Sequence, residues 1–230
     1  MKYFTLVIII LLSLQCGYSQ TFEIGGIVGG ANYIGDVGRT TYIAPKNLAI
    51  GGIFKWNRSE RHSFRASVLV ARVLGNDFDS GEARRKQRGY QFENTIKEAS
   101  IGLEYTFWEF NMYSGRPQTT PYLYTGLTYF LYDALYKRQD NRIVKYENKG
   151  APAIPMVVGV KTTVGTKLVL GFEIGARYTF TDNLDGSNPD TGLDNNESLK
   201  FGNINSDDWY VFTGVTLTFT FGRQPCYCNF

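Results

Sequence analysis

The feature that most constrains this chain is a strict two-residue alternation, held over segments of ten residues or more. It is plainest at the end of the sequence. Trp209, Val211, Thr213, Val215, Leu217, Phe219 and Phe221 fall on one face, and Tyr210, Phe212, Gly214, Thr216, Thr218 and Thr220 on the other. Residues 167–181 repeat the pattern, with Leu168, Leu170, Phe172, Ile174, Ala176, Tyr178 and Phe180 opposite Gly171, Glu173, Gly175 and Arg177. Alternation of this kind specifies β-strands, because successive side chains of a strand point to opposite faces. Eight strands are expected, near 22–33, 48–57, 62–74, 94–107, 121–132, 154–164, 167–181 and 209–222.

Two properties separate these strands from those of a soluble sandwich. They reach the roughly 9–11 residues that a tilted strand needs to cross a bilayer, against a soluble mode of about 5–6. Their connections also alternate in length. Residues 37–47, 76–93, 133–153 and 182–208 are long and polar, 59–61 and 165–166 are tight, and 109–120 is intermediate. Long loops at one end and short turns at the other are the habit of outer-membrane barrels. The expected fold is therefore all-β, an eight-stranded antiparallel transmembrane β-barrel over 20–222. The even strand number places both termini in the periplasm.

Other features agree. Lys2, the apolar run from Phe4 to Leu14 and the small residues Gly17 and Ser19 have the layout of a secretory signal peptide over 1–19. Cys16 raises a lipoprotein reading, but the preceding Gln15 is not the small residue such a signal wants, and cleavage after Ser19 is favoured. The mean hydropathy of −0.22 and the lack of a later apolar run of about 20 residues exclude a helical membrane protein, but not a barrel. The counts of 16 Tyr, 16 Phe and 25 Gly suit aromatic girdles and curved strands. A net charge of +3 is too small to argue for nucleic acid, and the run Arg84-Arg85-Lys86-Gln87-Arg88 reads as a solvated loop.

With the apolar face toward lipid, the other face fills the lumen. It carries Glu23, Lys55, Arg65, Glu98, Glu104, Lys161, Glu173 and Arg177, four acids and four bases. Eight strands leave room inside for side chains but not for a water channel, and buried charges must pair. The expected lumen is a salt-bridged plug, with a catalytic carboxylate pair or proton path as the rival. Catalytic, cofactor and metal sites are not expected. His62 is the only histidine and lies at a tight turn. Asp182, Asp185, Asn188 and Asp190 suggest calcium, but their spacing departs from the twelve-residue calcium loop and an ordinary polar loop is favoured. After the last strand comes a tail, 223–230, in which Pro225 cannot extend a ladder. The tail is expected in the oxidising periplasm. Cys226 and Cys228 either bridge to another protein or pair together in a strained ring.

Several stretches resemble the PorG-like outer-membrane proteins of the type IX secretion system, found in Bacteroidota. They are Glu23-Ile24-Gly25-Gly26 and Gly29-Gly30-Ala31-Asn32-Tyr33-Ile34-Gly35-Asp36, then Ala49-Ile50-Gly51-Gly52-Ile53-Phe54-Lys55-Trp56-Asn57, then Pro121-Tyr122-Leu123-Tyr124-Thr125-Gly126. The last is Glu173-Ile174-Gly175-Ala176-Arg177-Tyr178-Thr179-Phe180-Thr181-Asp182-Asn183-Leu184-Asp185. The family often has an aromatic where Asn183 stands and a second acid where Gly186 stands. The resemblance implies a small barrel in the outer membrane, associated with a periplasmic ring that contains a lipoprotein and a partner subunit. It implies a part in protein secretion and, in some bacteria, gliding motility, with no catalytic residues. The expected function is thus a non-catalytic component that anchors or assembles the ring through its periplasmic face and tail. A small pore or transporter and a surface receptor are the alternatives.

Overall fold

A computed structural model of the chain describes residues 21–138, 142–189, 199–203 and 207–222. The leader at 1–19 and the tail with Cys226 and Cys228 lie outside the described residues. Eight strands close into one ring in chain order: β1 Thr21–Ile34, β2 Asn47–Asn57, β3 His62–Asn76, β4 Gln91–Thr106, β5 Thr119–Lys137, β6 Ile143–Val164, β7 Leu168–Thr179 and β8 Trp209–Gly222. Every neighbouring pair is antiparallel, and β1 closes on β8 from Thr21↔Gly222 to Ile34↔Trp209. Within the closed ring every strand is paired on both sides, so its backbone donors and acceptors are met by neighbours, as a bilayer demands, and only the ends that rise past the ring, such as residues 132–137 of β5, are paired on one side.

The alternation sets which face is which. Along β8, Val215, Leu217, Phe219 and Phe221 point outward and are exposed, while Thr216, Thr218 and Thr220 are buried inside. The same inversion runs round the ring, with Ile24, Phe54, Val68, Ile101, Leu127, Val158 and Phe172 all on the outside. Apolar outside and polar inside is the reverse of a soluble barrel. At roughly 3.3 Å per residue, β8 from Trp209 to Phe221 covers about 40 Å along the strand, about 30 Å along the barrel axis once tilted. Aromatic groups mark both rims. Phe22 stacks between Phe54 and Phe221 at 5.8 and 5.7 Å, and Trp56 meets Phe64 at 5.3 Å. At the other rim Tyr178 meets Trp209 and Phe180 at 4.9 and 5.2 Å. Among the described residues no helix is long and apolar enough to cross a membrane. The protein is a β-barrel of the outer-membrane kind.

Glycines permit the tight coiling. Gly102 and Gly126 face each other across β4 and β5, and a Cβ on Gly126 would stand 2.1 Å from the Ile101 carbonyl oxygen. The start of β1 and the end of β8 share one rim with the turns 58–61, 107–118 and 165–167, here called the terminal rim. The connections 35–46, 77–90, 138–142 and 180–208 share the other, the loop rim.

Three loop expectations need correction. Residues 133–153 are not one long loop. β5 runs on to Lys137 and β6 begins at Ile143, with a bulge between Ala134 and Leu135. The extension is built from polar cross-strand pairs, such as Lys145 on Asp133 at 2.6 Å, and from Tyr136 against Tyr146 at 6.0 Å. Once a hairpin leaves the bilayer its outer face no longer needs to be apolar, so the alternation that betrays a strand fades. The basic run is not simply solvated either. It forms a short helix, α1 (Ala83–Arg88), ended by Gly89 in the left-handed conformation at φ 59°. Lastly, the polar segment 182–188 folds into the barrel mouth, where Leu184, Asp185 and Ser187 are fully buried.

Candidate functional site

All eight lumen charges are buried inside the barrel. β2, β3, β4, β6 and β7 bring seven of them into two ionic groups. In the first, Glu104 takes hydrogen bonds from Lys55 at 3.0 Å and Lys161 at 2.7 Å, and the Arg65 guanidinium stands 3.7 Å away. Arg65 also forks onto Glu173 with bonds of 2.7 and 2.8 Å, and Tyr122 donates to the same carboxylate at 2.7 Å. In the second, Arg177 binds Glu98 at 2.9 Å, and Tyr210 donates to Glu98 at 2.6 Å. Glu23 stands apart on β1, where Asn57 and Thr218 donate to it at 2.9 and 2.6 Å. The fork geometry of Arg65 on Glu173 is the strong form of a charge-assisted pair.

Aromatic rings fill the space between the charges. Arg65 lies over Tyr124 at 4.6 Å, Arg177 over Phe212 at 5.8 Å and Lys161 over Phe110 at 4.8 Å. Phe110 comes from the turn at 107–118, which folds up into the terminal rim. With acids and bases balanced and each carboxylate satisfied by a named partner, the arrangement suits a plug. Glu104, Glu173 and Glu98 face the ammonium and guanidinium groups that hold them.

The loop half of the lumen is of another kind, which alternation alone did not reveal. Ile27, Ala49, Leu69, Val73, Phe92, Ile96 and Phe130 point inward there and pack as an apolar layer. The loops close over it. Asp77, in the 3-10 turn Asp77–Asp79, takes two hydrogen bonds from Arg88 at 2.6 and 2.8 Å and others from the N–H groups of Gly38 and Tyr90 at 3.0 Å. Burial works against the charged form of Asp77. The bonds from Arg88, Gly38 and Tyr90 outweigh it and hold the carboxyl below its ordinary range. Arg88 also donates to the Asp36 carbonyl at 2.7 Å, and Arg85 to the carbonyls of Gly35 and Gly38 at 3.0 and 3.1 Å. Two residues of the basic run thus tie the 77–90 loop to the 35–46 loop.

The third loop is held by a hydroxyl between two acids. Tyr33 on β1 contacts Asp185 at 2.7 Å and makes a very short contact with Asp208, while the Asp36 N–H donates to it at 3.2 Å. A phenol has a single proton to donate, so Tyr33 can donate to only one of the two carboxyls at a time. Burial, and for Asp208 the neighbouring Asp185, pushes both carboxyls up. Asn94 donates to the carbonyls of Leu184 and Asp133, and Tyr90 to that of Asp185, at 2.8, 2.8 and 2.7 Å. Burial, with Asp36, Asp185 and Asp207 close by, pushes the Asp182 carboxyl up to about 7. The sequence signal for this cap was the pair of motifs Gly35-Asp36 and Thr181-Asp182, which lie far apart in the chain and meet only in the fold.

His62 bonds Ser59 at 3.2 Å and packs on Tyr105 at 5.2 Å, a turn contact at the terminal rim. Among the described residues no three His, Cys, Asp or Glu side chains stand together at metal-ligating spacing. Asp190 lies outside the described residues.

Comparison with solved structures finds small barrels at low identity. The N-terminal β-barrel domain of OprF from Pseudomonas aeruginosa is 9% identical, with a TM-score of 0.45, and covers 89% of this chain and 98% of that one. Neisserial surface protein A is 9% identical, with a TM-score of 0.46 over 88% of this chain and 97% of that one. A major outer membrane protein from Thermus thermophilus is 12% identical, with a TM-score of 0.45 over 89% of this chain and all, 100%, of that one. No curated protein matches the chain. A family profile matches it from end to end, over residues 1–230, and the chain belongs to that family, described as Domain of unknown function (DUF6089).

Proposed function

We propose that this protein is a non-catalytic outer-membrane component of the type IX protein secretion system, which anchors or assembles the periplasmic ring at the membrane. The observation that carries the reading is the filled lumen. Glu104, Glu173 and Glu98 hold Lys55, Lys161, Arg65 and Arg177 across the interior, and loops close one mouth, so the interior is support and the work falls to the rims. The resemblance of stretches in β1, β2, β5 and β7, and of the segments that follow β1 and β7, to PorG-like proteins supplies the system. On this reading both chain ends are periplasmic, and the terminal rim carries the contact, with Cys226 and Cys228 beyond it as candidates for a bridge to a ring subunit. The partners are the ring lipoprotein and its companion subunit, and the lipid of the outer membrane.

The test is affinity purification of the tagged full chain from its own envelope, with and without reductant, followed by mass spectrometry. The expected result is co-recovery of both ring subunits. A Cys226→Ser, Cys228→Ser double variant that recovers the ring undiminished, with no band shift on a non-reducing gel, overturns the covalent link. Recovery of the barrel without either subunit overturns the anchoring role itself.

A further inference from the structure

The loop rim gathers oxygens that are short of partners. Asp36 follows β1, and Asp182, Ser187 and Asn188 lie in the segment after β7. Gly202 shows how closely they converge, since a Cβ built there stands 2.3 Å from Ser187 Oγ, 2.6 Å from Asn188 Nδ2 and 2.7 Å from Asp36 Oδ2. The Asn188 amide nitrogen also donates to Asp182 Oδ2 in a very short contact. One amide nitrogen therefore sits between carboxylates from two different loops. Around it, Asp182 Oδ1, Asn188 Oδ1 and Ser187 Oγ are buried without a hydrogen-bond partner. Ser187 is wholly buried, at 0% exposure, and its orphan hydroxyl borders the same point beside Gly202 that the Asp36 carboxylate and the Asn188 amide approach. A buried polar atom left unpaired costs roughly 1–3 kcal/mol, and three in one place call for a ligand.

The neighbours are already committed. Asp185 is held by Tyr33 and by the Ser187 N–H at 2.8 Å, and Asp208 by Tyr33 and by the Leu184 N–H at 2.9 Å. Arg88 is engaged by Asp77 and stacks over Phe201 at 4.8 Å. Asp36 accepts the Asn203 N–H, a neutral donor, in a very short contact, and Arg88, which bonds the Asp36 carbonyl, lends it a charge that it shares with Asp77. Two carboxylates thus remain, with neutral oxygens beside them and neither nitrogen nor sulfur ligands from histidine or cysteine. Calcium is the common ion that accepts such a set, taking carboxylate, amide, hydroxyl and water oxygens in an adaptable shell.

We propose that Asp36, Asp182, Ser187 and Asn188 form a calcium site that fastens the segment after β7 to the turn after β1, across the barrel mouth. A half-turn of the Asn188 side chain exchanges its amide nitrogen for its unpartnered oxygen, and the ion takes the place the nitrogen held. The sequence spacing of Asp182, Asp185 and Asn188 hid the site, because its first carboxylate comes from a different loop.

Terbium, which occupies calcium sites and emits when excited through nearby aromatic rings, gives the readout on the detergent-purified full chain. We expect saturable emission, reversed by calcium and at least tenfold less readily by magnesium, together with slower amide exchange over 182–188 when calcium is added. Asp36→Asn with Asp182→Asn should weaken binding at least tenfold. Should that double variant not fold, Ser187→Ala decides the matter. It removes an oxygen with no partner, leaves folding intact and should weaken calcium severalfold. Absence of saturable emission from the wild-type chain overturns the proposal, as does unchanged calcium affinity in folded Asp36→Asn/Asp182→Asn or Ser187→Ala protein.

Discussion

Glu104 shows what single residues do inside this barrel. Lys55 and Lys161 both end on it, and Arg65 reaches it from its fork with Glu173. A buried ion pair adds little stability over an apolar pair of the same shape, but removing one partner strands the other charge. Glu104→Gln strands two ammonium groups. It should cost about 3–5 kcal/mol, read as a lowered urea midpoint of the refolded barrel. Glu109→Gln, at the exposed terminal turn where Glu109 pairs with Arg61 at 3.2 Å, should leave the midpoint essentially unchanged. At the loop rim the residue to titrate is Asp77. Its carboxyl is held below the ordinary 3.8, so its clamp on Arg88 is fully present above that value and is lost as pH falls through the lower folded one. Protection of the 77–90 amides, taken relative to their intrinsic exchange rate at each pH, should hold from neutral pH down to about 4 and fall only below it, and Asp77→Asn should abolish that dependence.

At the scale of elements, closure depends on strands approaching where glycine permits it. A Cβ on Gly126 would meet the Ile101 carbonyl at 2.1 Å and Gly102 Cα at 2.5 Å, both of them backbone atoms that cannot step aside. Gly126→Val should therefore prevent ring closure, leaving a chain without the heat-modifiable gel shift of a folded barrel. Gly165→Ala, at a turn with open space round it, should cost only the strain of a positive φ of 68°. The strands themselves were largely legible. β8 runs over the same residues in sequence and structure, and β1, β2 and β7 differ by a residue or two at their ends, because lipid on one side and packed side chains on the other force strict alternation. The outer parts of β5 and β6 were not legible, since above the bilayer both faces meet water and Asp133, Lys145 and Glu147 read as loop. The lumen charges could be named by counting alternate positions. Their pairing could not, because Arg65 and Glu173 lie 108 residues apart and meet only across the closed ring. The cap of Tyr33, Asp185 and Asp208 was hidden for the same reason.

For the molecule as a whole, the account rests on an inverted barrel whose interior is full. The terminal half is packed with Glu23, Glu104, Glu173, Lys55, Arg65 and Lys161, with the aromatic rings of Tyr122, Tyr124 and Phe110 among them, and Glu98 and Arg177 pair above them at the level of Leu69, Phe130 and Tyr210. The loop half is packed with an apolar layer and roofed by three loops tied at Arg88 and Tyr33. On the proposed reading such a body lends its rims to other proteins and carries nothing through its centre, and the secretion-ring role depends on that property. Planar-bilayer recording of the purified full chain tests it most directly. The account predicts a silent membrane at low voltage, at neutral pH and moderate salt, after insertion has been shown by protease protection. Stable, stepwise and ohmic channels under the same conditions would contradict it, and would return the lumen charges from plug to pore.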